Sequence, residues 1–479
     1  MRVLLVYANR SRDFLPPPPI GLAYVAGATR RAGHEVAAVD LLPSRDPAGL
    51  LKGALRRCRP EVVGVSVRSI DNVVPQRWVG HLGGVAETLS LIRRESDAVV
   101  VLGGPAISIL REGTLRALDA DFAVVGEGEE TLPRLLAEMK GGRRFAGVPG
   151  LVWRDGGGTV VNRHERLATF SASGLEEWVT WRRYERLGGT WPMQSKRGCT
   201  LACSYCVYPT IEGDRHRLRP AEEVVDEIER VSRVVGPRTF EIVDSTFNVP
   251  LDHALALCEE IVRRGLKVNL SATTVNPIQV SRELFTLMRR AGFIAIMVTP
   301  DSASDATLAG LGKGFGKEAV ARTAELVAES GIDSGWFFLL GGPGETEATA
   351  EETVSFIEGK LGGPRVLSVV TTGVRILPGS PLELVQRSQG RIAPGHDFTR
   401  PAHYFSPDVS ERWLLERVNR AIRSHPNIVH SAEENANVLA RAYYGALRRL
   451  GHAPPYWRFL PRLLATPPLR AVRGRATTF

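Results

Sequence analysis

Short apolar segments alternate with helical patterns over the first 149 residues of the chain. The apolar segments predict strands at Val3–Tyr7, Val36–Asp40, Val62–Val67, Ala98–Leu102 and Phe122–Val125. A helical pattern over Gly21–Ala32 separates the first two of them. Strands that are apolar on both faces, with helices between them, are typical of a parallel sheet covered on both sides. The pattern therefore predicts a doubly wound, Rossmann-like α/β domain over residues 1–149, with ligands bound beyond the carboxyl ends of its strands.

The same alternation returns in the second half of the chain. Candidate strands are Phe240–Val243, Val268–Ala272, Ile294–Val298, Trp336–Leu340 and Val369–Ile376. Helical patterns fill the intervals, for example over Leu251–Arg264 and Lys317–Ser330. Residues 191–391 are therefore predicted to form a (β/α) TIM-type barrel or partial barrel. Residues 150–190 predict a small hairpin and a linker, and residues 392–479 predict a helical region that becomes basic and proline-rich.

The 479-residue chain has the composition of an ordinary globular protein, with 43% hydrophobic and 24% charged residues. A chain of this length predicts about two to four domains. Five cysteines are too few for a disulfide scaffold, which leaves them free for metal or redox chemistry. The sequence has no run of about 18 apolar residues and no secretory signal pattern, so we expect a cytoplasmic protein without a membrane span.

The formal net charge of +9 comes largely from one end of the chain. Residues 435–479 contain eight arginines and no Asp or Glu, which leaves a net charge of about +1 on the rest of the chain. The basic composition therefore gives no reason to expect nucleic-acid binding. Two interpretations of the basic end stay open. It is a helical cap with a solvated tail, or it is a docking surface for a phosphorylated substrate, an acidic carrier protein or a membrane face.

Three of the five cysteines lie close together in a C-x3-C-x2-C pattern, at Cys199, Cys203 and Cys206. Structural zinc usually takes four protein ligands, and the two remaining cysteines, Cys58 and Cys258, are distant in sequence. Three thiolates would leave one metal position open for a small ligand. An iron–sulfur cluster held by cysteine thiolates fits this pattern better than zinc does.

This spacing, with the aromatic Tyr205 directly before the third cysteine, resembles the signature of the radical S-adenosylmethionine (SAM) enzymes. The resemblance implies that Cys199, Cys203 and Cys206 hold a [4Fe–4S] cluster. It also implies that SAM chelates the fourth iron and is cleaved by the reduced cluster to methionine and a 5′-deoxyadenosyl radical. The four residues Cys199, Cys203, Tyr205 and Cys206 are the predicted catalytic motif.

Other motifs of residues 191–391 also resemble that family. Asp244-Ser-Thr-Phe-Asn248 follows the second strand, where many relatives carry Gly-Gly-Glu, and Gly341-Gly-Pro-Gly-Glu345 resembles the GxPGE segment near the adenine. The resemblance implies SAM contacts from Asp244 and Ser245, from Gly341, Gly342, Pro343 and Gly344, from Asp301 and Ser302, and from Arg375 at the SAM carboxylate. For Asp301 and Ser302 the alternative is helix capping ahead of Asp305–Leu311.

The loops of the N-terminal sheet resemble those of the cobalamin-binding domains in class B radical SAM proteins. The residues that this resemblance assigns to cobalamin are Pro19, Gly21, Ser66, Arg68, Asp71, Asn72, Gly103, Gly104, Gly126, Glu127 and Gly128. Many cobalamin proteins donate a histidine to cobalt from the loop after the first strand, but residues 8–19 contain none. We therefore predict that no histidine ligates cobalt and that Arg68 or its neighbours face the lower side of the corrin. This would favour a four-coordinate cob(I)alamin that accepts a methyl group from SAM.

The resemblance implies a cobalamin-dependent radical SAM methyltransferase that moves a methyl group from SAM, via methylcobalamin, to an unactivated carbon of a small-molecule secondary metabolite. The substrate would be anionic or carrier-bound, and an electron donor such as a flavodoxin or ferredoxin would reduce the cluster. The alternative keeps these cofactors without methylation, in a cyclase, a ring contraction or an oxidation. Methylthiolation fits less well because the N-terminal domain has only Cys58. A non-enzymatic cobalamin-binding module would leave the cysteine triplet unexplained.

Overall fold

The computed structural model describes residues 1–11, 16–431 and 438–467. Its first sheet consists of β1 (Arg2–Tyr7), β2 (Glu35–Asp40), β3 (Val62–Ser66), β4 (Val99–Gly103), β5 (Phe122–Val124), β6 (Leu151–Asp155) and β7 (Gly158–Val161). The strand order is β2-β1-β3-β4-β5-β6-β7. The first five strands are parallel, in the flavodoxin-like order 2-1-3-4-5, so the topological switch point lies between β1 and β3.

Helices cover both faces of this sheet. They are α1 (Ile20–Arg31), α2 (Pro47–Cys58), α3 (Leu82–Glu95), α4 (Pro105–Leu110), α5 (Thr114–Ala117) and α6 (Gly128–Lys140). Strand residues alternate between the two faces, so that Leu5 packs in the same core as Leu22 and Leu135, while Val6 packs with Leu89 on the other side. This arrangement agrees with the predicted doubly wound domain.

The hairpin predicted within residues 150–190 forms the edge of the first sheet, not a separate linker element. β6 pairs antiparallel with β5, and β7 pairs antiparallel with β6. Leu151 and Val152 are both fully buried, and their burial explains why the hairpin docks on the sheet. The sheet is therefore mixed, and it extends to Val161 before α7 (Trp181–Arg186) begins.

The second sheet has seven parallel strands in the order β18-β15-β14-β13-β12-β11-β8. They are β8 (Trp191–Met193), β11 (Phe240–Ile242), β12 (Leu270–Val275), β13 (Phe293–Asp301), β14 (Asp333–Leu340), β15 (Val366–Thr372) and β18 (Ile428–His430). Two short strands, β9 (Lys196–Arg197) and β10 (Arg217–Leu218), form a hairpin beside it. A parallel sheet with helices in the crossovers agrees with the predicted partial barrel.

The helices of this unit, apart from the first, pack on the convex face of its sheet. α8 (Tyr208–Glu212) follows the hairpin and lines the space between the units. The others are α9 (Ala221–Val234), α10 (Leu251–Arg263), α11 (Arg282–Ala291), α12 (Asp305–Gly310), α13 (Lys317–Ser330) and α14 (Glu347–Lys360). On α9 the apolar stripe of Val224, Ile228 and Val231 packs in one core with Phe240 and Ile242. The alternating residues of β11, including Glu241, therefore point to the concave face.

The strand predicted over Val369–Ile376 is broken in the structure. β15 ends at Thr372, and β16 (Val374–Arg375) leaves the sheet to pair with β17 (His403–Tyr404). Gly373 lies between them with a φ of +80°, and a Cβ there would approach the ring of Phe405 to 2.5 Å. Only glycine fits this turn, which takes the chain out of the seven-stranded sheet.

The C-terminal region follows α15 (Pro381–Ser388) and contains α16 (Glu411–Ser424), α17 (Val438–Arg449) and α18 (Leu460–Leu464). It also supplies β17 and β18, although only helices were predicted there. Trp457 and Leu460 pack on the concave face against Met297 and Leu367. This segment is referred to below as the C-terminal plug (residues 454–467).

Arginines of this region are used in intramolecular contacts. Arg448 donates to the carbonyl oxygen of Arg186 at 2.6 Å, and Arg458 pairs with Asp333 at 2.9 Å. These contacts favour the interpretation of the region as a helical cap. Three other arginines of the predicted basic end, Arg470, Arg473 and Arg475, lie outside the described residues. No helix in the described ranges is both long and apolar enough to cross a membrane.

Candidate functional site

A cavity of about 590 Å³ lies between the two sheets. Tyr7, Ser66 and Gly103 line it from the carboxyl ends of β1, β3 and β4, and Pro192 and Val243 line it from the second sheet. The β1/β3 switch point opens into this cavity, which is where open α/β sheets bind ligands. The cavity is therefore the place where a ligand of the first domain would meet the second domain.

Most of the residues predicted to bind cobalamin line this cavity. They are Pro19, Gly21, Ser66, Arg68, Gly103, Gly104, Gly126, Glu127 and Gly128. Gly104 has a φ of +102°, and a Cβ there would lie 2.6 Å from the carbonyl oxygen of Val67, so only glycine fits. The space in front of Gly21 and Gly103 is open to at least 4 Å. A flat, bulky ligand can approach the backbone closely at these loops.

Arg68 is the exposed cation of this loop set. Within the ranges that the structure describes it makes no hydrogen bond or ion pair, and it lies near Tyr7 and Tyr208. Burial raises the pKa of both phenols to about 12, and the Arg68 guanidinium opposes the rise. The guanidinium is thus available to a ligand at the cavity wall.

Ion pairs join the two units beside the cavity. Glu127 lies 3.3 Å from Arg197 and 2.6 Å from Arg217, and Arg197 also pairs with Glu129 at 2.7 Å. Burial of Glu127 opposes its ionisation, but the hydrogen bond from Arg217 and the charge of Arg197 outweigh it and lower the Glu127 pKa. Glu127 therefore lines the cavity with its carboxylate already bound by two arginines.

The cysteine loop begins directly after β9. Gly198 turns the chain with a φ of +89°, and the amide of Cys199 donates to the carbonyl oxygen of Gly213 at 2.9 Å. Burial raises the pKa of the Cys203 thiol, and it raises that of Cys206 to about 12. A cation that binds these thiolates has to displace their protons, so binding would depend on pH.

The three cysteines fit a cluster better than a single ion. Among the described residues, no three side chains of His, Cys, Asp or Glu converge on one ion position. A single zinc ion needs such convergence, whereas each cysteine of an iron–sulfur cluster binds a different iron. The arrangement of Cys199, Cys203 and Cys206 is therefore compatible with the predicted cluster.

Asp244, predicted to contact SAM, instead binds the chain directly before the cysteine loop. Its carboxylate accepts hydrogen bonds from the amides of Ser195 at 2.8 Å and Lys196 at 3.2 Å, and it pairs with the Lys196 ammonium group at 3.1 Å. Both charged side chains are fully buried. The neighbouring Ser245 donates to Glu212 at 2.9 Å. Asp244 and Ser245 line the cavity, but these contacts make Asp244 a support for the loop.

Tyr205 and Asp301 belong to a buried network behind the cysteine loop. The Tyr205 hydroxyl donates to Asp301, and the Lys313 ammonium group lies 2.8 Å from the same carboxylate oxygen. The amide of Ser204 donates to the carbonyl oxygen of Leu311 at 2.9 Å, which ties the same segment to the loop. Asp301 has a φ of +67°, a conformation that carries strain in a non-glycine residue.

Ser302 lies in the turn before α12, a helix that has no side-chain cap hydrogen bond. Its hydroxyl lies 2.9 Å from that of Thr353, and it accepts a hydrogen bond from the amide of Ser304 at 3.1 Å. Ser304 is the residue before α12. The Ser302 side chain is fully buried, so these contacts satisfy it within the protein.

The Gly341–Gly344 segment forms a turn closed by Glu345. The amide of Gly341, which has a φ of +83°, donates to the Glu345 carboxyl group. Burial raises the pKa of Glu345 to about 7, and hydrogen bonds from the amides of Gly341 and Gly342 oppose the rise. The second carboxyl oxygen of Glu345 has no hydrogen-bond partner in the part of the chain that is described.

Arg375 and Asp71 have a role that differs from both predictions. Arg375 was expected to reach the SAM carboxylate and Asp71 to reach cobalamin, but their side chains pair with each other at 3.0 Å. The guanidinium also donates to the carbonyl oxygens of Ile376, Phe398, Ala402 and Arg400. The break at Gly373 removes Arg375 from the sheet and makes this pairing between the two units possible. Neither Asp71 nor Asn72 lines the cavity.

Two models of known families match the chain where these sites lie. Residues 193–357 match the radical SAM superfamily, and residues 14–136 match the B12 binding domain. The chain is a cobalamin-binding radical SAM enzyme. The matches confirm the predicted family, the predicted fold class and the expectation of an enzyme.

Several known proteins are similar to the chain over all or part of its length. Tryptophan 2-C-methyltransferase of Streptomyces laurentii is 25% identical over 94% of each chain. An uncharacterized methyltransferase of Pyrococcus horikoshii is 25% identical over 71% of this chain and 72% of its own. Anaerobic magnesium-protoporphyrin IX monomethyl ester cyclase of Cereibacter sphaeroides is 29% identical over 70% of this chain, but the match spans only 55% of the cyclase.

Among solved structures, the radical SAM methyltransferase TsrM of Kitasatospora setae resembles this radical SAM enzyme over 99% of both chains. The TM-score is 0.81 at 25% sequence identity, and that structure contains cobalamin and a [4Fe–4S] cluster. A second TsrM structure, with tryptophan and a SAM analogue bound, gives a TM-score of 0.82 over 97% of this chain and 99% of TsrM. The radical enzyme OxsB shares the fold, with a TM-score of 0.67 at 15% identity over 93% of this chain and 72% of OxsB.

Sequence reasoning missed Lys196, Lys313 and Glu241. Lys196 and Lys313 neutralise two of the predicted SAM-binding aspartates, and Glu241 lies on the concave face of β11. The only signal in the sequence was a charged residue inside or next to an apolar segment, as in Phe240-Glu-Ile242. Charged side chains are almost never fully buried unless they are paired. This signal could have indicated buried charges, but not their partners.

Proposed function

We propose that this chain is a cobalamin-dependent methyltransferase that moves a methyl group from SAM to an unactivated carbon of a small-molecule substrate. The observation that carries the proposal is the cavity of about 590 Å³, in which the predicted cobalamin loops face the end of the second sheet that bears the cysteine loop. When bound, cobalamin would supply a methyl carrier, and SAM with the cluster would supply the methyl donor and the radical source. The chain's own residues would bind these groups, orient them and exclude water.

The predicted cofactors have support from both kinds of comparison. The radical SAM match implies SAM, and the B12 match implies cobalamin. TsrM, of similar length and fold, holds cobalamin and a [4Fe–4S] cluster. We assign Cys199, Cys203 and Cys206 to the cluster and the open loops at Gly21 and Gly103 to the corrin. The Gly341–Gly344 turn would approach the adenine.

The cysteine assignment is tested by substitution. We expect Cys203→Ala to abolish the iron–sulfur absorption of anaerobically reconstituted protein and to stop turnover. Cys58→Ser is the matched control, because Cys58 is half-buried on α2 and belongs to no cluster motif. Iron bound normally by the Cys203→Ala variant, or zinc in place of iron in the wild type, would contradict the assignment.

Methyl transfer is tested with SAM labelled by deuterium in its methyl group. Turnover with a cell extract is expected to give both S-adenosylhomocysteine and 5′-deoxyadenosine, together with a product that is heavier by a trideuteromethyl group. A failure to form S-adenosylhomocysteine during turnover would exclude the methyltransferase.

A second candidate uses the same cofactors without methylation, and the match to the magnesium-protoporphyrin monomethyl ester cyclase favours it. This alternative predicts 5′-deoxyadenosine without a deuterated product in the same experiment. A reductase partner such as flavodoxin or ferredoxin is part of both proposals, because each requires an electron to reach the cluster.

We also propose that Arg68 faces the lower side of the corrin and takes the place of a histidine ligand. Its exposed guanidinium lies at the cavity wall without an ion-pair partner in the described ranges. Arg68→His is expected to add a nitrogen donor and to shift the visible spectrum of bound cobalamin, while Arg94→His on the outer surface of α3 leaves it unchanged. Identical spectra for Arg68→His and the wild type would exclude this position for Arg68.

A further inference from the structure

The cavity extends from the cobalamin loops into the concave side of the second sheet. At that end it is lined by Thr190, Glu241 and Thr273 together with the apolar Pro192 and Val243. The C-terminal plug packs on the same sheet against Met297 and Leu367. A ligand that enters from the interface between the units would contact Thr190, Glu241 and Thr273.

Glu241 is the acidic group of this pocket. Its carboxylate accepts a hydrogen bond from the Thr190 hydroxyl at 2.7 Å and a longer one from Ser271 at 3.4 Å. Burial raises the pKa of Glu241, and the two hydroxyls oppose the rise. None of the described residues places a cationic group within ion-pair distance of Glu241. The carboxylate is therefore held in position by neutral donors only.

Three of the other four carboxylates that line the cavity have their charge balanced. Asp244 pairs with Lys196, and Glu127 and Glu129 both pair with Arg197. Glu212 makes no ion pair among the described residues, but it is bonded to Ser245 and to the amide of Gly198, within the support of the cysteine loop. Glu241 differs because it faces open cavity and belongs to no such support. A buried carboxylate without a cation is costly, and a bound cation would remove that cost.

We propose that Glu241 binds a protonated amino group of the substrate, so that the enzyme acts on a cationic small molecule. The inference rests on the proposed function, because it takes this pocket as the substrate site. It departs from the expectation of an anionic substrate. Thr190 and Ser271 orient the carboxylate, and Pro192 and Val243 contact the carbon skeleton beside the amine. A pocket of this kind discriminates strongly against an isostere that lacks the charge, because the carboxylate is then left unpaired.

The test measures binding to the enzyme loaded with cobalamin and cluster. The probes are two matched pairs at pH 7.5: 2-phenylethylamine with 2-phenylethanol, and hexylamine with 1-hexanol. Equilibrium dialysis is expected to show that the amine of at least one pair binds about tenfold or more tightly than its alcohol. In Glu241→Gln this preference is lost while the affinity for the alcohols is kept. Glu259→Gln, on the exposed side of α10, is the control and keeps the preference.

Two outcomes would overturn the inference: neither amine binds better than its alcohol, or Glu241→Gln keeps the preference of the wild type. Cobalamin and iron–sulfur absorption of the Glu241→Gln variant report whether it folds and carries its cofactors. If the wild type itself showed no cobalamin or iron–sulfur absorption, the proposed function would be wrong. If the wild type showed normal absorption but bound neither amine better than its alcohol, only the Glu241 assignment would be wrong.

Discussion

Two buried lysines behind the cysteine loop each neutralise one aspartate. Lys196 pairs with Asp244 at 3.1 Å, and Lys313 pairs with Asp301 at 2.8 Å. All four side chains are at most 5% exposed. Removing one partner of such a pair leaves an uncompensated charge in a poorly solvated place. Both pairs therefore hold the backbone of the cysteine loop in position, through Lys196 before it and Tyr205 within it.

Lys313→Met is expected to destabilise the protein by about 3–5 kcal/mol, because Asp301 is left buried without its cation. Urea unfolding measures the change. Lys317→Met, at an exposed position at the start of α13, is the control and should change stability by less than about 0.5 kcal/mol. The double variant Asp301→Asn/Lys313→Met should recover part of the lost stability, because it no longer buries an unpaired carboxylate. Equal stability of Lys313→Met and the wild type would contradict the buried pairing.

Glu345 makes stability depend on pH. Burial raises its pKa from 4.5 to about 7, so the folded state holds this proton more tightly than the unfolded state does. The resulting stabilisation is complete below pH 4.5 and is lost as the pH rises through 7, a change of about 3 kcal/mol. The Gln side chain of Glu345→Gln stays neutral at every pH. In urea unfolding, the free energy of unfolding of this variant should therefore rise by this amount relative to that of the wild type between pH 4.5 and pH 8. For the exposed control Glu259→Gln, the difference in free energy of unfolding from the wild type should not change with pH. The same pH-independent difference for Glu345→Gln would contradict the raised pKa of Glu345.

At the residue scale, the sequence indicates which residues lie at strand ends but not what they contact. For Cys199, Cys203 and Cys206 the spacing is itself the signal, so the sequence alone predicts that they act together. Asp244 and Asp301 were predicted to contact SAM, and the structure gives each a buried lysine instead. The partners come from distant parts of the chain, and no local pattern encodes that pairing.

At the scale of elements, apolar segments predicted most strands because burial on both faces of a parallel sheet leaves a continuous signal. The errors have specific causes. The hairpin of β6 and β7 docks through Leu151 and Val152, and Gly373 ends β15 by its positive φ and its close approach to Phe405. The strand β18 is only three residues long, too short to be distinguished from the helices around it.

The C-terminal plug offers a test at this scale. Trp457 is 2% exposed and packs with Met297 and Leu460 on the concave face. Trp457→Ala is expected to cost about 3–5 kcal/mol, because the cavity left behind adds to the loss of buried apolar surface. Thermal unfolding measures it. Leu450→Ala is the matched control, since Leu450 is 75% exposed, and it should leave stability nearly unchanged.

At the scale of the whole molecule, the contact between the two units depends on a buried ion pair 304 positions apart in sequence, between Asp71 and Arg375. Asp71→Asn is expected to cost about 3–5 kcal/mol and to increase hydrogen exchange in residues 71–80. Asp119→Asn, which breaks an exposed pair with Arg93, should cost less than about 1 kcal/mol. If both variants have the same stability, the Asp71–Arg375 pair does not hold the units together.

The overall architecture was predictable, whereas the relation between its two units was not. The order of strands and helices, the switch point and the loops after the strands all follow from local patterns. The docking of the units depends on contacts such as Glu127 with Arg217 and Asp71 with Arg375, which are remote in sequence. The cavity between the two sheets forms only when the units dock. Neither half of the sequence therefore indicates how deep this cavity is or that the Glu241 carboxylate lines it.

The position of the cavity has a consequence for the way in which molecules enter it. Trp457 and Leu460 fill one end of the concave face, and the cavity lies at the seam between the units. A corrin seated at Gly21 and Gly103 would then form part of the cavity wall. Cobalamin, the largest of the ligands, would then have to bind first. SAM and the substrate would enter beside it, and the products would leave by the same route.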